Sequence, residues 1–455
     1  MSKLINAFEK KVVAKIVDKT LSCDKNERRN YLLKLVSIAE EIAGPLFQKE
    51  SYEDAKNLIL APDGKWVNYV ESLIAEIDHH VLRTTALNLG FEAAYAGTSA
   101  VHAKRKEYGF NVPWVILLDP TSACNMRCKG CWAAKYGHNL RLSYEEMEKV
   151  IVEAKELGIR FFIYTGGEPL LRKDDILRLC AEHDDCYFLA FTNGTLVTAN
   201  FCQDMLEVGN LSLALSLEGF EKDNDARRGK GAFQRTLEAM DLLKHHKLLF
   251  GASVCYTRKN LEMVTSDDFI DLLVQKGCRY SWYFHYMPMG SGAVKDLMPT
   301  AKQREYIYHR LREIRAAEGG KPIFAIDFQN DGEYIGGCIA GGRDYLHINA
   351  NGDVEPCVFV HYSQANIKKD SLLEALQQPL FLAYRDNQPF NSNHLQPCPM
   401  LENPEFLQRM VETTKAVSTD LEAQEDVKDL CAKCSEYAKE WKPVAERLWE
   451  QSHNC

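Results

Sequence analysis

Apolar residues near the start of the chain recur at intervals of three and four. Ile5, Phe8, Val12 and Ile16 follow this spacing, and later segments repeat it. Such spacing places apolar side chains on one face of a helix, and the alternation typical of strands is absent. The pattern predicts an all-helical N-terminal region over residues 1–106.

From residue 107 the pattern changes to short apolar runs separated by helical segments of about ten to fifteen residues. One segment begins at Ser143, where Glu146 completes a capping box. Strands that alternate with helices predict a parallel sheet, and about six units indicate a partial (β/α)6 barrel over residues 107–300. Catalytic groups in such a fold lie on the loops after the strands. The predicted strands are 114–118, 161–164, 187–191, 211–217, 251–256 and 280–286.

The alternation stops after Met298. A helix over about 301–317 and a strand around Tyr345–Ile348 precede loops and helices up to Cys455. We interpret 301–455 as a cysteine-rich α+β extension. Three regions suit a chain of 455 residues, because single cores rarely exceed about 250–300 residues.

Composition excludes several classes of protein. With 46% apolar and 26% charged residues the chain is globular, and a net charge of −9 argues against nucleic-acid binding by bulk charge. No apolar run approaches the roughly 20 residues that span a bilayer, and the N-terminus does not resemble a secretory signal. We therefore expect a cytoplasmic protein. Residues 1–20 form a basic amphipathic pattern, which allows peripheral membrane contact as well as ordinary packing.

The fifteen cysteines include a closely spaced triad, Cys124, Cys128 and Cys131, directly after the first predicted strand. A reducing compartment disfavours disulfides. Three thiolates this close can hold one face of a 4Fe–4S cluster and leave one iron open, as catalysis requires. The alternative is a zinc site with His138 as fourth ligand.

This motif resembles that of the radical S-adenosylmethionine (SAM) superfamily. The resemblance implies that the triad binds a 4Fe–4S cluster whose open iron chelates the methionine part of SAM. One electron then cleaves SAM to a 5′-deoxyadenosyl radical. The family usually has an aromatic residue before the third cysteine, whereas this chain has Gly130 there and Trp132 directly after Cys131.

The second strand is followed by Thr165-Gly166-Gly167-Glu168-Pro169. Two glycines let the backbone approach a ligand closely, and a carboxylate beside them can accept from an ammonium. The segment resembles the GGEP motif of the family, which implies that Glu168 binds the methionine amino group. A plain turn is the alternative.

Further polar residues follow the next strands. Thr192-Asn193 and Ser216-Leu217-Glu218 match the places where the family contacts the ribose and methionine of SAM. Arg228 resembles the arginine that pairs with the methionine carboxylate, whereas Arg227 can equally be a solvated charge.

The C-terminal extension carries a second group of cysteines. Cys338 and Cys357 stand in a C-x13-G-x4-C pattern, and a hairpin at Tyr345–Ile348 would bring them together. Cys431 and Cys434 form a C-x2-C pair. The C-x2-C pair could be a redox dithiol, but the sequence around it does not predict the βαβ unit of thioredoxin-like proteins. A four-thiolate zinc site remains a rival interpretation.

This spacing resembles the SPASM/Twitch extension of radical SAM enzymes, which binds auxiliary 4Fe–4S clusters. The full SPASM run of cysteines is absent, so we expect one auxiliary 4Fe–4S cluster. The resemblance implies Cys338, Cys357, Cys431 and Cys434 as its ligands, with Cys398 able to replace one of the last pair.

The last predicted strand, residues 280–286, is rich in aromatic residues. One alternating face should point into the barrel and line a substrate cavity. His285 and Tyr286 are candidates for a proton or radical relay, although core packing explains most of the run. We interpret the remaining internal cysteines as small buried hydrophobic residues: Cys180, Cys186, Cys202, Cys255 and Cys278.

These observations predict a radical SAM oxidoreductase or bond-forming enzyme whose auxiliary cluster assists oxidation or bond formation. The substrate can be a peptide, a lipid or a small metabolite, and flavodoxin or ferredoxin would donate electrons. The alternative is a zinc-stabilised, non-catalytic protein that binds a partner through its helical region.

Overall fold

The structure, a computed structural model, describes residues 2–43, 49–61, 64–137, 139–290, 293–422 and 424–453. Every described element before residue 109 is helical, as the apolar spacing predicts. The elements are α1 (Ser2–Ser22), α2 (Lys25–Ala43), α3 (Lys49–Leu60), α4 (Lys65–Glu76), α5 (His79–Thr85), a π-helix (Ala86–Gly97) and α6 (Thr98–Tyr108).

Helix α1 packs on its own region through both charged and apolar side chains. Lys10 pairs with Glu92 of the π-helix at 2.5 Å, and Asp18 pairs with Arg83 of α5 at 2.6 Å. Val17 is buried, although Phe8 remains 69% exposed. The amphipathic pattern therefore reflects packing within the chain, and membrane contact by this helix stays a prediction.

The centre of the molecule is a nine-stranded sheet that contains all six predicted strands in parallel. Its order is β7-β6-β5-β4-β3-β2-β1-β8-β9, and only β9 runs antiparallel to its neighbour. This arrangement confirms the predicted α/β class and partial barrel. The strands are β1 (Val115–Leu118), β2 (Phe161–Tyr164), β3 (Tyr187–Thr192), β4 (Leu211–Ser216), β5 (Phe250–Tyr256), β6 (Tyr280–His285), β7 (Phe324–Asp327), β8 (Tyr345–Ile348) and β9 (Val354–Glu355).

Helices connect these strands and cover the outer face of the sheet. The predicted capping box is present, because Ser143 Oγ accepts from the Glu146 N–H and Glu146 Oε2 accepts from the Ser143 N–H. The helices are α7 (Tyr144–Glu156), α8 (Lys173–Glu182), α9 (Ala199–Val208), α10 (Glu221–Arg228), α11 (Ala232–His245), α12 (Leu261–Val264), α13 (Asp267–Gln275) and α14 (Ala301–Arg315).

The sheet continues beyond the predicted domain boundary at residue 300. Strand β7 extends it at one edge, while β8 pairs in parallel with β1 at the other, with Val115 opposite Tyr345. The strand that leads into the cysteine triad therefore lies between the barrel core and the C-terminal extension. The division into 107–300 and 301–455 stays a prediction.

Side chains alternate along the strands between two hydrophobic cores. Ile116 and Leu118 of β1 pack outward with the helices, whereas Val115 and Leu117 face the barrel interior. The inner core continues into the extension. Its remaining elements are α15 (Leu372–Ala375), α16 (Pro379–Asn387), α17 (Pro404–Thr414), α18 (Val427–His453) and the short pair β10 (Tyr362–Ser363) and β11 (Val417–Ser418).

Candidate active site and auxiliary cysteine site

A cavity of about 300 Å³ extends from the C-terminal ends of the strands into the barrel. It brings together all the residues predicted for the first site. Those residues are Cys124, Cys128, Cys131, Gly166, Gly167, Glu168, Thr192, Asn193, Ser216, Glu218, Arg228, His285 and Tyr286.

The three thiols of the triad lie close to one another in the loop after β1. Burial raises the pKa of Cys124 to about 11, the Met126 N–H opposes that rise, and the charges of Glu168, Cys131 and Cys128 add to it. The loop is also tied to the end of β3, because Asn193 Nδ2 donates to Asn125 Oδ1 at 2.9 Å. The triad is thus held in a defined position over the barrel.

Gly166 and Gly167 are needed because the loop after β2 passes very close to the backbone of the loop after β1. A Cβ on Gly167 would lie 2.1 Å from the carbonyl oxygen of Ala123, and one on Gly166 would lie 2.6 Å from that of Thr121. Gly166 also has a positive φ of 103°. The glycines therefore let the β2 loop pass directly under the cysteine loop, and the close approach to a ligand that the sequence suggested stays a prediction.

Glu168 connects the ends of β2 and β3. Its carboxylate accepts from Thr192 Oγ1 at 2.6 Å, from the Asn193 N–H at 2.8 Å and from the Leu170 N–H at 3.0 Å. Burial raises its pKa, and these hydrogen bonds oppose the rise. A cation placed beside Glu168 would meet a carboxylate that is already oriented by neutral donors.

Glu218, after β4, pairs with two arginines of α10. Arg227 Nη1 and Arg228 Nη2 each lie 2.6 Å from Glu218 Oε1, while Glu218 Oε2 and Arg227 Nε are buried without a hydrogen-bond partner. Arg227 lines the cavity beside Arg228, so it is not the solvated charge that the sequence allowed. The unpaired atoms leave donor and acceptor capacity for a zwitterionic ligand.

His285 and Tyr286 lie at the end of β6. Burial and the nearby Arg304 lower the pKa of His285 to about 3, so this imidazole is neutral. Its Nδ1 lies 2.7 Å from the Tyr286 carbonyl, and Nε2 has no partner. The Tyr286 hydroxyl accepts from the Val294 N–H at 3.1 Å. A relay role for either residue stays a prediction.

The three thiols and the polar residues of the first site line one cavity. In a tetrahedral zinc site, Zn–S bonds of about 2.3 Å place sulfurs roughly 3.8 Å apart. Among the described residues, no three His, Cys, Asp or Glu side chains converge on one ion in this way. His138, the fourth ligand of the zinc interpretation, lies outside the described residues.

In the extension, Cys338, Cys357 and Cys398 lie together. Burial raises the pKa of the Cys398 thiol well above its ordinary value, and the charges of Glu402, Cys338 and Cys357 raise it further. The Tyr345 hydroxyl donates to Cys357 Sγ at 2.6 Å. Antiparallel pairing of β8 and β9 returns the chain toward Cys338, as the predicted hairpin requires.

Cys431 and Cys434 are buried one turn apart on α18. Cys431 of this pair lies near Tyr384, as do the other three thiols. After burial, the charges of Cys338, Cys357, Cys398 and Cys431 raise the pKa of Tyr384, and its oxygen has no hydrogen-bond partner. Thus Cys398 groups with Cys338 and Cys357, whereas the spacing of the cysteines indicated it only as a substitute.

The structure adds cavity residues that sequence reasoning missed. Cys255 of β5, interpreted above as a buried hydrophobic residue, lines the cavity together with Ser253, two positions earlier. Tyr345 of β8 also lines it. The alternation of side chains along β5 could have placed Cys255 on the strand face that lines the cavity. No local sequence pattern indicated that β8 would join the barrel.

A buried polar network lies behind the cysteine loop. His347 of β8 lies 3.0 Å from Asp119 Oδ1 and 2.7 Å from Glu355 Oε2, and all three side chains are buried. Burial alone lowers the pKa of His347, but the two carboxylates raise it to about 10. Trp132, next to Cys131, packs edge-on against this imidazole at 5.7 Å between ring centres.

Comparison with known proteins agrees with this geometry. Residues 118–273 match the model of the radical SAM superfamily, and residues 338–400 match that of the iron–sulfur cluster-binding domain termed SPASM. The chain therefore contains a radical SAM domain followed by a SPASM domain. The first domain binds a 4Fe–4S cluster and SAM, and the second binds auxiliary iron–sulfur clusters.

Relatives named for an activity match somewhat more than half of the chain. AdoMet-dependent heme synthase of Oleidesulfovibrio alaskensis is 26% identical over 56% of this chain and 72% of its own. Mycofactocin maturase MftC of Mycolicibacterium smegmatis is 27% identical over 62% and 75%. SuiB of Streptococcus suis, solved with its precursor peptide SuiA, shares the fold with a TM-score of 0.55, at 17% identity over 90% of this chain and 93% of SuiB.

No described helix is long and apolar enough to cross a membrane.

Proposed function

We propose that the cavity at the strand ends is where SAM is cleaved and a substrate hydrogen atom is abstracted. Cys124, Cys128 and Cys131 would ligate the cluster there. When bound, the cluster and SAM supply a 5′-deoxyadenosyl radical. The observation that carries this proposal is that the triad and the polar residues of three further strand ends all line one cavity.

The chain contributes orientation and charge to this chemistry. Glu168, already fixed by three donors, would accept from the methionine ammonium. Arg227 and Arg228 would exchange part of their contact with Glu218 for the methionine carboxylate. The ribose of SAM would be contacted by Thr192, Asn193 and Ser216. The apolar walls of the cavity would exclude water from the reactive carbon.

We propose one auxiliary 4Fe–4S cluster held by Cys338, Cys357, Cys398 and Cys431, the thiols whose charges meet at Tyr384. Cys434 is the neighbouring alternative on the same helix. Tyr345 supports an electron-transfer role, because its ring lines the cavity while its hydroxyl contacts Cys357. The auxiliary cluster would accept the electron of the product radical.

The proposal also includes a cellular compartment, an electron donor and a substrate class. The described chain holds fourteen free cysteines, which suits a reducing compartment such as the cytoplasm. A flavodoxin or ferredoxin would reduce the first cluster. The relatives include a heme synthase and a mycofactocin maturase, and SuiB binds a precursor peptide, so a peptide or a small metabolite is the favoured substrate class.

The test is anaerobic reconstitution followed by iron counting and assay with SAM and dithionite. Wild-type protein should release 5′-deoxyadenosine and hold about eight irons in two cubanes. Replacing Cys124, Cys128 and Cys131 together by alanine should abolish release and retain about half of the iron. Cys202→Ala, a buried thiol of α9, is the matched control. Zinc in both sites with intact SAM would reject the proposal in favour of a structural metal protein.

A further inference from the structure

The inner part of the cavity, between the strands of the barrel, is walled by aromatic rings. The ring of Phe191 lies 5.9 Å from that of Trp282 and 5.7 Å from that of Phe284, and Phe284 lies 5.1 Å from Phe328, measured between ring centres. Phe161 and Tyr345 complete the wall. We call these six residues the aromatic wall.

The aromatic wall faces open space although it lies in the middle of the fold. Along β6, Ser281 and Tyr283 are fully buried against helices, whereas Trp282 and Phe284 are only half-buried. Protein interiors are normally close-packed, so half-exposed rings inside a barrel indicate room for a guest molecule.

The charged side chains of the described cavity lining lie outside the aromatic wall, and each pairs within the protein through at least one atom. Glu168 accepts three hydrogen bonds, and Glu218 pairs with both Arg227 and Arg228. Asp344, the remaining one, pairs with Arg105 at 3.1 Å outside the cavity. A carboxylate, phosphate or ammonium that contacted the aromatic wall would lose part of its hydration there without gaining a charged partner from the wall.

We propose that the part of the substrate that enters the aromatic wall and gives up the hydrogen atom is an uncharged apolar group, an aromatic ring or a branched alkyl group. This inference rests on the proposed function, because SAM at the polar strand ends leaves the inner part to the substrate. One C–H bond of the group breaks as one C–H bond of 5′-deoxyadenosine forms, and the unpaired electron stays on the substrate carbon.

The test uses four side-chain-deuterated probes of similar size, the N-acetyl amides of phenylalanine, leucine, glutamate and lysine. Each is incubated with the cluster-loaded enzyme, SAM and dithionite, and deuterium in 5′-deoxyadenosine is measured by mass spectrometry. Equilibrium dialysis against the same protein gives each dissociation constant without turnover. Deuterium from the two apolar probes, with binding at least tenfold tighter than that of the charged probes, is the expected result.

Variants of Phe284 test whether the phenylalanine probe binds at the aromatic wall. Phe284→Asn should weaken binding of the phenylalanine probe about tenfold, and Phe284→Leu should weaken it less, because leucine keeps most of the apolar contact. Phe324→Asn changes an exposed ring of β7, 47% exposed, and should leave binding unchanged.

The outcomes separate this inference from the proposed function. Equal or greater transfer from glutamate or lysine probes, or 5′-deoxyadenosine without deuterium from either apolar probe, would overturn the inference alone. If no 5′-deoxyadenosine forms at all, the proposed function fails, and the dialysis result decides whether the aromatic wall binds apolar groups.

Discussion

The ring of Tyr286 lies directly against the Cα of Gly130, so that a Cβ built on this glycine would lie 2.7 Å from the Tyr286 hydroxyl oxygen. Gly130 separates two thiols of the triad and has a φ of 67°. The loop therefore tolerates no side chain at this position, and an aromatic ring reaches the same place from the end of β6 instead.

Replacing Gly130 by alanine should destabilise the protein by about 2–4 kcal/mol, because overpacking adds to left-handed strain. The change should also lower iron at the first site. Gly109→Ala is the matched control, since Gly109 has a φ of 72° but no atom within 4 Å of the position that a Cβ would occupy. Urea denaturation and iron counting measure both effects, and equal losses in the two variants would contradict the role of Tyr286.

The auxiliary cysteines can be distinguished by single replacements. Cys398→Ala and Cys431→Ala should each remove about half of the bound iron while 5′-deoxyadenosine release persists, because the first site stays intact. Cys434→Ala should retain more iron than either. Loss of iron from Cys434→Ala but not from Cys398→Ala would instead support the ligand set that the sequence resemblance implied.

Arg304 and Glu402 form a fully buried ion pair beside this site. Glu402 also accepts from the Cys398 N–H at 2.7 Å, and the Arg304 guanidinium stacks on Trp441 at 4.3 Å. Arg304→Met should cost about 3–5 kcal/mol, because it leaves a buried carboxylate unpaired. The double variant Arg304→Met/Glu402→Gln should recover much of that loss in urea denaturation; no recovery would show that the packing of Arg304 on Trp441, not its charge, matters.

His347 should make stability depend on pH. Its folded pKa of about 10 lies above the ordinary value near 6.5, so its contribution is complete below pH 6.5 and is lost as the pH rises toward 10. The stability difference between wild type and His347→Gln, measured by urea denaturation, should therefore shrink from pH 6 to pH 10. A difference that stays constant over this range would contradict a charged imidazole between Asp119 and Glu355.

The sequence was sufficient to predict the elements that carry the first site. Apolar runs and capping signals located β1 to β6, and each predicted SAM residue lies at the end of one of these strands or in the connection that follows it. This works because strand ends in a parallel sheet meet at one edge, so linear order becomes spatial proximity. The predicted residues at the ends of β1, β2, β3, β4 and β6 accordingly line one cavity.

Contacts between distant segments could not be predicted in this way. The pairing of β8 with β1, the grouping of Cys398 with Cys338 and Cys357, and the burial of His347 between Asp119 and Glu355 each depend on residues far apart in the chain. Arg227 and Arg228 are adjacent and chemically identical, so only the packing of α10 shows that both reach Glu218. Periodicity carries no information about such approaches.

Strands β7 and β8 are not hydrogen-bonded to each other, so the barrel is left open between them. This opening has a mechanical consequence. Strands β7 and β8 lie at opposite sides of the sheet order, yet Phe328, just after β7, and Tyr345 of β8 approach to 6.5 Å between ring centres. Backbone hydrogen bonds fix the circumference of a closed barrel, whereas a junction of two side chains sets no such limit. The width of this barrel therefore depends on single side chains, so a substitution at Phe328 or Tyr345 can change it without any change in strand count.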